Sequence, residues 1–180
     1  MKRFLIVFVV FGLLVGSVGM SNDVFAEDPP MMDEAHIERI RSNCIEAQTK
    51  LTQLHTADTL LRVNRGQLYE QILTKLMSPF NSRVALNNLS SSELVSIAAT
   101  YQQRLATFRT NYQQYEETLS AALKINCTDQ PVAFYDKVAE ARDKRKKVHE
   151  STLQLKQSIE TYKDAFTSFR DSYLEEHPES

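Results

Sequence analysis

The chain has 180 residues, with 21 basic and 23 acidic side chains and a formal charge of −2. That balance excludes a broad basic field of the kind that grips nucleic acid through its phosphates. With only four glycines and five prolines, the chain also lacks the turn punctuation of an all-β fold, and its wealth of Gln, Glu, Lys, Leu and Ala favours helix.

The first expected element is a leader. Lys2 and Arg3 precede an apolar stretch from Phe4 to Gly16, and Val24-Phe25-Ala26 fits the small-residue pattern for cleavage after Ala26. Residues 1–26 are therefore expected to be a signal peptide that sends the chain to the cell envelope or outside. A membrane contact is expected only if the leader is retained, and its apolar run is short against the roughly 20 residues of a span. Cleavage leaves 154 residues with 19 basic and 22 acidic side chains, a charge of −3, which suits one domain. Residues 27–32, "EDPPMM", read as a linker.

A first long helix is expected from Asp33 to Met77. Its stripe of Ile37, Ile40, Cys44, Ala47, Leu51 and Leu54 alternates spacings of three and four, the seam of a coiled coil. The stripe continues through Leu61, Leu68 and Ile72, with Asp58 and Arg65 on the seam between them. Ser78-Pro79 is expected to break this helix and start a short kinked one, with Ser78 as its cap. A second long helix opens at Ser90-Ser91-Ser92-Glu93, a capping-box pattern, and runs to about Asn126. Its seam is Leu94, Ala98, Tyr101, Leu105, Phe108, Tyr112, Tyr115, Leu119 and Ala122. A third starts at Pro131 and carries its seam from Phe134 through Ala141, Arg145, Val148, Leu155 and Tyr162 to Tyr173. Together these predict an all-α fold over residues 33–176, an elongated antiparallel three-helix bundle of coiled-coil type, with a frayed tail at 177–180.

The only cysteines are Cys44 and Cys127. Counting back from the first turn places them at one level, and export permits oxidation, so a disulfide is expected. The same level-matching offsets the first and third helices by about 87 residues. It sets Asp58 level with Arg145, near Tyr112, and predicts a buried pair fixing register, gripped by the planar guanidinium. It also leaves residues 33–43 overhanging, with Ile37 and Ile40 as a candidate surface for a protein partner or for self-association.

No catalytic residue is expected, because no nucleophile, base and oxyanion donor can be argued together. No metal site or cofactor is expected either. Asp33 and His36 share a face but lack a second histidine, "PPMMDEAH" reads as linker rather than a copper motif, and no glycine-rich phosphate loop exists. "NLS" at 88–90 and "NCT" at 126–128 match the glycosylation sequon.

The stretch "LRVNRGQLYEQILTKLMSPFNSRVALNNL", with the two cysteines and the exported three-helix pattern, resembles uncharacterised secreted helical proteins of ultra-small bacteria with reduced genomes. That resemblance implies no activity, cofactor or catalytic residue. The expected function is a non-enzymatic scaffold, adaptor or spacer of the envelope. The alternative is a binding, sensing or chaperone-like bundle that holds a small apolar ligand or client.

Overall fold

The computed structural model describes residues 32–178, and these are all-helical, without a strand. The expected leader, residues 1–26, and residues 27–31 of the expected linker lie outside them, as do the last two residues of the tail. Helix α1 (Glu34–Ser42) is followed by α2 (Cys44–Gln71), a π-helical segment (Ile72–Met77), α3 (Ser78–Leu86), α4 (Ser92–Leu123) and α5 (Pro131–Glu176). Helices α4 and α5 have 32 and 46 residues, about 48 and 69 Å at 1.5 Å per residue.

The seam of α4 is the spine of the molecule. All nine expected seam residues, from Leu94 to Ala122, are buried. Helix α5 lies along it, and as numbers rise on α4 they fall on α5. Lys144 Nζ donates to Thr118 Oγ1 at 2.8 Å, Asn111 Nδ2 to Ser151 Oγ at 2.6 Å and Arg104 Nη1 to Ser158 Oγ at 2.8 Å. Each step of seven along one helix meets a step of seven along the other. Ser151, Ser158 and Ala165 are small and buried, so the two backbones approach closely along this ridge.

Among the described residues the core falls into three apolar groups. One gathers Tyr101, Leu105, Phe108 and Leu155 with Tyr69, Met77 and Tyr162. A second holds Tyr112, Tyr115, Leu119 and Ala141. The third surrounds Cys44, Cys127 and Phe134, with Ile40, Leu51 and Val138 packed against it.

Three expectations about the helix ends are corrected. Ser78-Pro79 opens the short helix α3 with Pro79 in its first turn, as expected, but the backbone before it stays helical instead of breaking, and no side-chain cap bond starts it. A proline in an α-ladder lacks its donor and crowds the carbonyl four residues back. Here the preceding segment widens to five-residue spacing, with Ser78 N–H donating to Leu73 O, and the helix carries Pro79 onward. Tyr101 Oη donates to Tyr69 O at 2.9 Å just before this segment. Just after it, Tyr162 Oη donates to Asn81 Oδ1 at 2.8 Å, and Asn81 Nδ2 donates to Leu94 O at 3.2 Å. The capping-box pattern at 90–93 also makes no side-chain cap; Ser91 precedes α4 without one. The reversal before α4 is instead set at the end of α3. Asn88 takes φ 57°, Leu89 N–H donates to Val84 O and Asn88 N–H to Ala85 O, both at 3.1 Å. This is a Schellman ending with asparagine in the left-handed position usually held by glycine.

The third correction concerns the first helix. It is interrupted at Asn43 (φ −99°, ψ 9°), which ends α1 and precedes α2. The expected overhang of 33–43 is not left without a neighbour, because α1 packs on α5. Ile40 joins the group around the cysteines, the His36 ring meets Tyr135 edge-on at 5.4 Å, and Arg41 Nε donates to Thr128 O at 3.2 Å. Ile37 and Ile40 are each partly buried. Asp33, a metal candidate only by spacing, is the N-cap of α1 and accepts from His36 N–H at 2.7 Å.

Candidate functional site

Helix α2 is the element that departs most from a packed seam. Leu61 and Leu68, expected in the seam, are 50% and 53% exposed, and Leu60 and Val63 are exposed beside them. A Cβ added at Gly66 would meet nothing within 4 Å. From 60 to 65 every residue is exposed, so this part of α2 stands off from the rest. Polar side chains hold it at their own length. Arg145 grips Asp58 below it, Glu70 pairs with Arg109 above it, and the Arg62 guanidinium lies 4.9 Å over the Tyr112 ring. Those groups occupy the space a leucine seam would have closed.

A polar cluster lies where α2 is held. Arg145 Nε and Nη2 donate to Asp58 Oδ2 and Oδ1 at 2.9 and 3.1 Å, a two-pronged contact of the kind the planar guanidinium makes. The expected third partner, Tyr112, is not the one that reaches Asp58. Tyr115 Oη donates to Asp58 Oδ2 at 2.6 Å, whereas Tyr112 Oη donates to Glu116 Oε2 at 3.0 Å. Side chains lean toward the N-terminus of their helix. A long tyrosine therefore covers a level well before its own Cα, and counting Cα levels chose the residue one turn too early. The expected burial is also one-sided. Asp58 has an 11% exposed side chain, but Arg145 is 51% exposed, because α2 stands off on that side.

Electrostatics follow from these contacts. Burial alone would raise the Asp58 carboxyl, but hydrogen bonds from Arg145 and Tyr115 outweigh it and hold the group below its ordinary value. Burial, then the bond to Asp58, pushes the Tyr115 phenol well up. The bond to Asp58 likewise raises Arg145.

One turn along α2, His55 Nε2 contacts Glu116 Oε1, and Ser120 Oγ lies 3.4 Å from the same nitrogen. This trio was missed in the sequence, although His55 and Asp58 stand one turn apart on α2. It has the residue types of a hydrolase triad without the geometry. A triad needs the carboxylate on one ring nitrogen and the hydroxyl on the other, whereas here both compete for Nε2. The trio is a tie between α2 and α4. Among the described residues, no group of three or more His, Cys, Asp and Glu side chains is placed to hold a metal ion. No described helix is long and apolar enough to cross a membrane.

Cys44 and Cys127 form a disulfide with a Cα–Cα distance of 5.5 Å and a sequence separation of 83. Both residues are buried, and Thr128 Oγ1 donates to Cys44 Sγ at 3.4 Å.

Between α2 and α5, over the Asp58–Arg145 cluster, runs an open recess of about 540 Å³ whose walls include Leu61, Arg62, Arg65, Arg142 and Val148. Its floor is the α4 aromatic face at Phe108, Tyr112 and Tyr115. A second recess of about 620 Å³ follows between the π-helical segment with α3 and α5, walled by Leu76, Phe80, Ile159 and Phe166. No protein-family model matches the chain, and neither a curated protein nor a solved structure matches it.

Proposed function

We propose that the chain is an exported, non-enzymatic scaffold or adaptor of the cell envelope, built as an elongated antiparallel three-helix bundle with α1 and α3 as its end pieces. The observation that carries this reading is the buried Cys44–Cys127 disulfide. Such a bond persists in oxidising compartments and is rare in reducing ones, and the leader pattern of residues 1–26 agrees with export. The bond joins the start of α2 to the turn before α5 and so holds two long helices in register. The His55 trio lacks a workable acid–base order, which supports a role in holding rather than in chemistry. Partners, or further copies of the chain, are then engaged by helix faces.

The alternative of a carrier for a small apolar ligand draws on the two recesses, but both are open clefts on a helix face, and a carrier buries most of its ligand. Fractionation of the source cells, followed by non-reducing electrophoresis and crosslinking, tests the proposal. The expected result is an oxidised chain in the envelope or medium, crosslinked to protein. A reduced, cytosolic chain would overturn it.

A further inference from the structure

The recess over the Asp58–Arg145 cluster is basic on both walls. Arg62 and Arg65 line it from α2, and Arg142, Arg145 and Lys146 from α5, against the carboxylates of Asp58 and Glu150. Asp58 is already held by Arg145 and Tyr115, and Lys146 pairs with Asp143. Arg62, Arg65 and Arg142 are exposed and have no carboxylate within ion-pair distance among the described residues. The Arg62 guanidinium rests over the Tyr112 ring, which fixes its place without neutralising its charge. Arg145 spends Nε and Nη2 on Asp58, leaves Nη1 uncommitted there, and is half exposed. Each wall thus presents two arginines three residues apart, neighbours on one helix face. A chain of net charge −2 gathers like charges around one opening, and that is where α2 stands off.

The spacing sets the size and charge of the occupant. Arg145 meets Asp58, and Arg41 meets Thr128, at the same separation of 87 residues, so numbers rise together along the two helices at a fixed offset. Arg142 lies three residues before Arg145, and Arg62 and Arg65 lie four and seven after Asp58. The four arginines therefore span ten residues of rise, about 15 Å, with Asp58 between them. A single oxyanion group reaches one end of this array, and the Asp58 carboxylate disfavours it at the centre. A molecule with an oxyanion at each end meets both pairs, and the long arginine arms shorten the gap it must bridge. A terminal phosphate carries about −1.5 to −2 near neutral pH, against −1 for a carboxylate, so phosphate answers this density of charge better. We infer that the recess binds a small multivalent oxyanion of the oligophosphate class, one end gripped by Arg62 and Arg65 and the other by Arg142 and the remaining prong of Arg145. The planar guanidinium suits this role, because its donors match phosphate oxygens two at a time. Binding neutralises the repulsion between the walls and draws the standing-off part of α2 inward. The inference goes beyond the adaptor reading and does not depend on it.

The test titrates the full oxidised chain with sodium tripolyphosphate, inorganic phosphate and citrate at constant ionic strength, followed by calorimetry and by the arginine Nε–H resonances. The expected result is saturable binding of tripolyphosphate, at least about tenfold tighter than inorganic phosphate or citrate. Resonances of Arg62, Arg65, Arg142 and Arg145 should move together, and amide exchange from Leu60 to Arg65 should slow. Arg62→Gln/Arg65→Gln should weaken binding at least about tenfold, and Arg142→Gln several-fold; all three positions are exposed, so the fold should survive. Arg62→Lys/Arg65→Lys keeps the charge without the fork and should also lose several-fold. Lys124→Gln/Lys156→Gln, an equal charge change outside the recess, should leave affinity within about twofold. No saturation at millimolar tripolyphosphate, inorganic phosphate or citrate binding as tightly, or equal loss in the two glutamine double variants would overturn the inference. Binding of a glycerol phosphate polymer without binding of tripolyphosphate would overturn it in favour of an extended polyanion.

Discussion

Replacing Arg145 by methionine removes the grip on Asp58 while keeping the length and apolar stem of the side chain. Losing one partner of a fully buried pair costs about 3–5 kcal/mol. The cost here is smaller for two reasons. Arg145 is half exposed, so less interaction is lost, and Tyr115 still donates to the stranded carboxylate at 2.6 Å. About 1.5–2.5 kcal/mol is expected, close to the value of a hydrogen bond to a charged group. Asp58→Asn should cost a similar amount, and the double variant clearly less than the two together, with a coupling of about 1 kcal/mol or more. Urea unfolding followed by far-ultraviolet circular dichroism measures all three. The pH dependence supplies a second reading. The folded carboxyl lies below its ordinary value, so its stabilisation is present above the unfolded carboxylate range near about pH 4 and is lost as pH falls through the folded value. Asp58→Asn should remove that acid slope. Additive costs in the cycle, within about 0.3–0.5 kcal/mol, together with an unchanged acid slope in Asp58→Asn, would refute the reasoning.

Two further predictions separate packed from standing-off positions. Leu155 is fully buried and Leu86 is 82% exposed, so Leu155→Ala should cost about 2–5 kcal/mol and Leu86→Ala less than about 0.5 kcal/mol, both read from urea midpoints. Ile40→Glu places a charge in the group around the disulfide. It should lower stability by at least about 2 kcal/mol without changing the mass found by light scattering. A change of mass with no loss of stability would restore the expected overhang as an association surface.

The parts of the fold legible in the sequence are those where packing obeys one period. Helix α4 touches α5 on one side and α2 on the other, and its unbroken spacing of three and four from Leu94 to Ala122 reports that burial directly. Helix α5 is half legible. Its apolar stripe is visible, but the ridge at Ser151, Ser158 and Ala165 is hidden, because small and hydroxyl residues carry no apolar signal although they are buried. Helix α2 misleads because Leu61 and Leu68 keep a seam-like spacing where ion pairs and a cation–π contact hold the helix away. Periodicity marks which residues could pack, and the length of the polar side chains between them decides whether they do.

The candidate site was legible in its charges and not in its hydroxyl. Two charged residues on apolar stripes at a common offset drew attention to Asp58 and Arg145, which the structure sets 2.9 Å apart. Level-matching by Cα points to Tyr112 instead of Tyr115 because it ignores the lean of side chains toward the helix N-terminus. The π-helical segment had its signal in Pro79, which a helix can absorb by widening as well as by breaking. The interruption at Asn43 has little signal in the sequence, because asparagine ends a helix only weakly.

Peptide mapping of unreduced protein, isolated from the exported fraction of the source cells, bears most directly on the account. One fragment pair joined through Cys44 and Cys127 within a single chain, with no free thiol, is expected. The bond closes a loop spanning 83 residues, and on the chain-entropy model it contributes about 4–5 kcal/mol, so that reduction should lower the melting temperature by roughly 10–15 °C. Free thiols at both positions, a bond between two chains, or a melting temperature unmoved by reduction would contradict it.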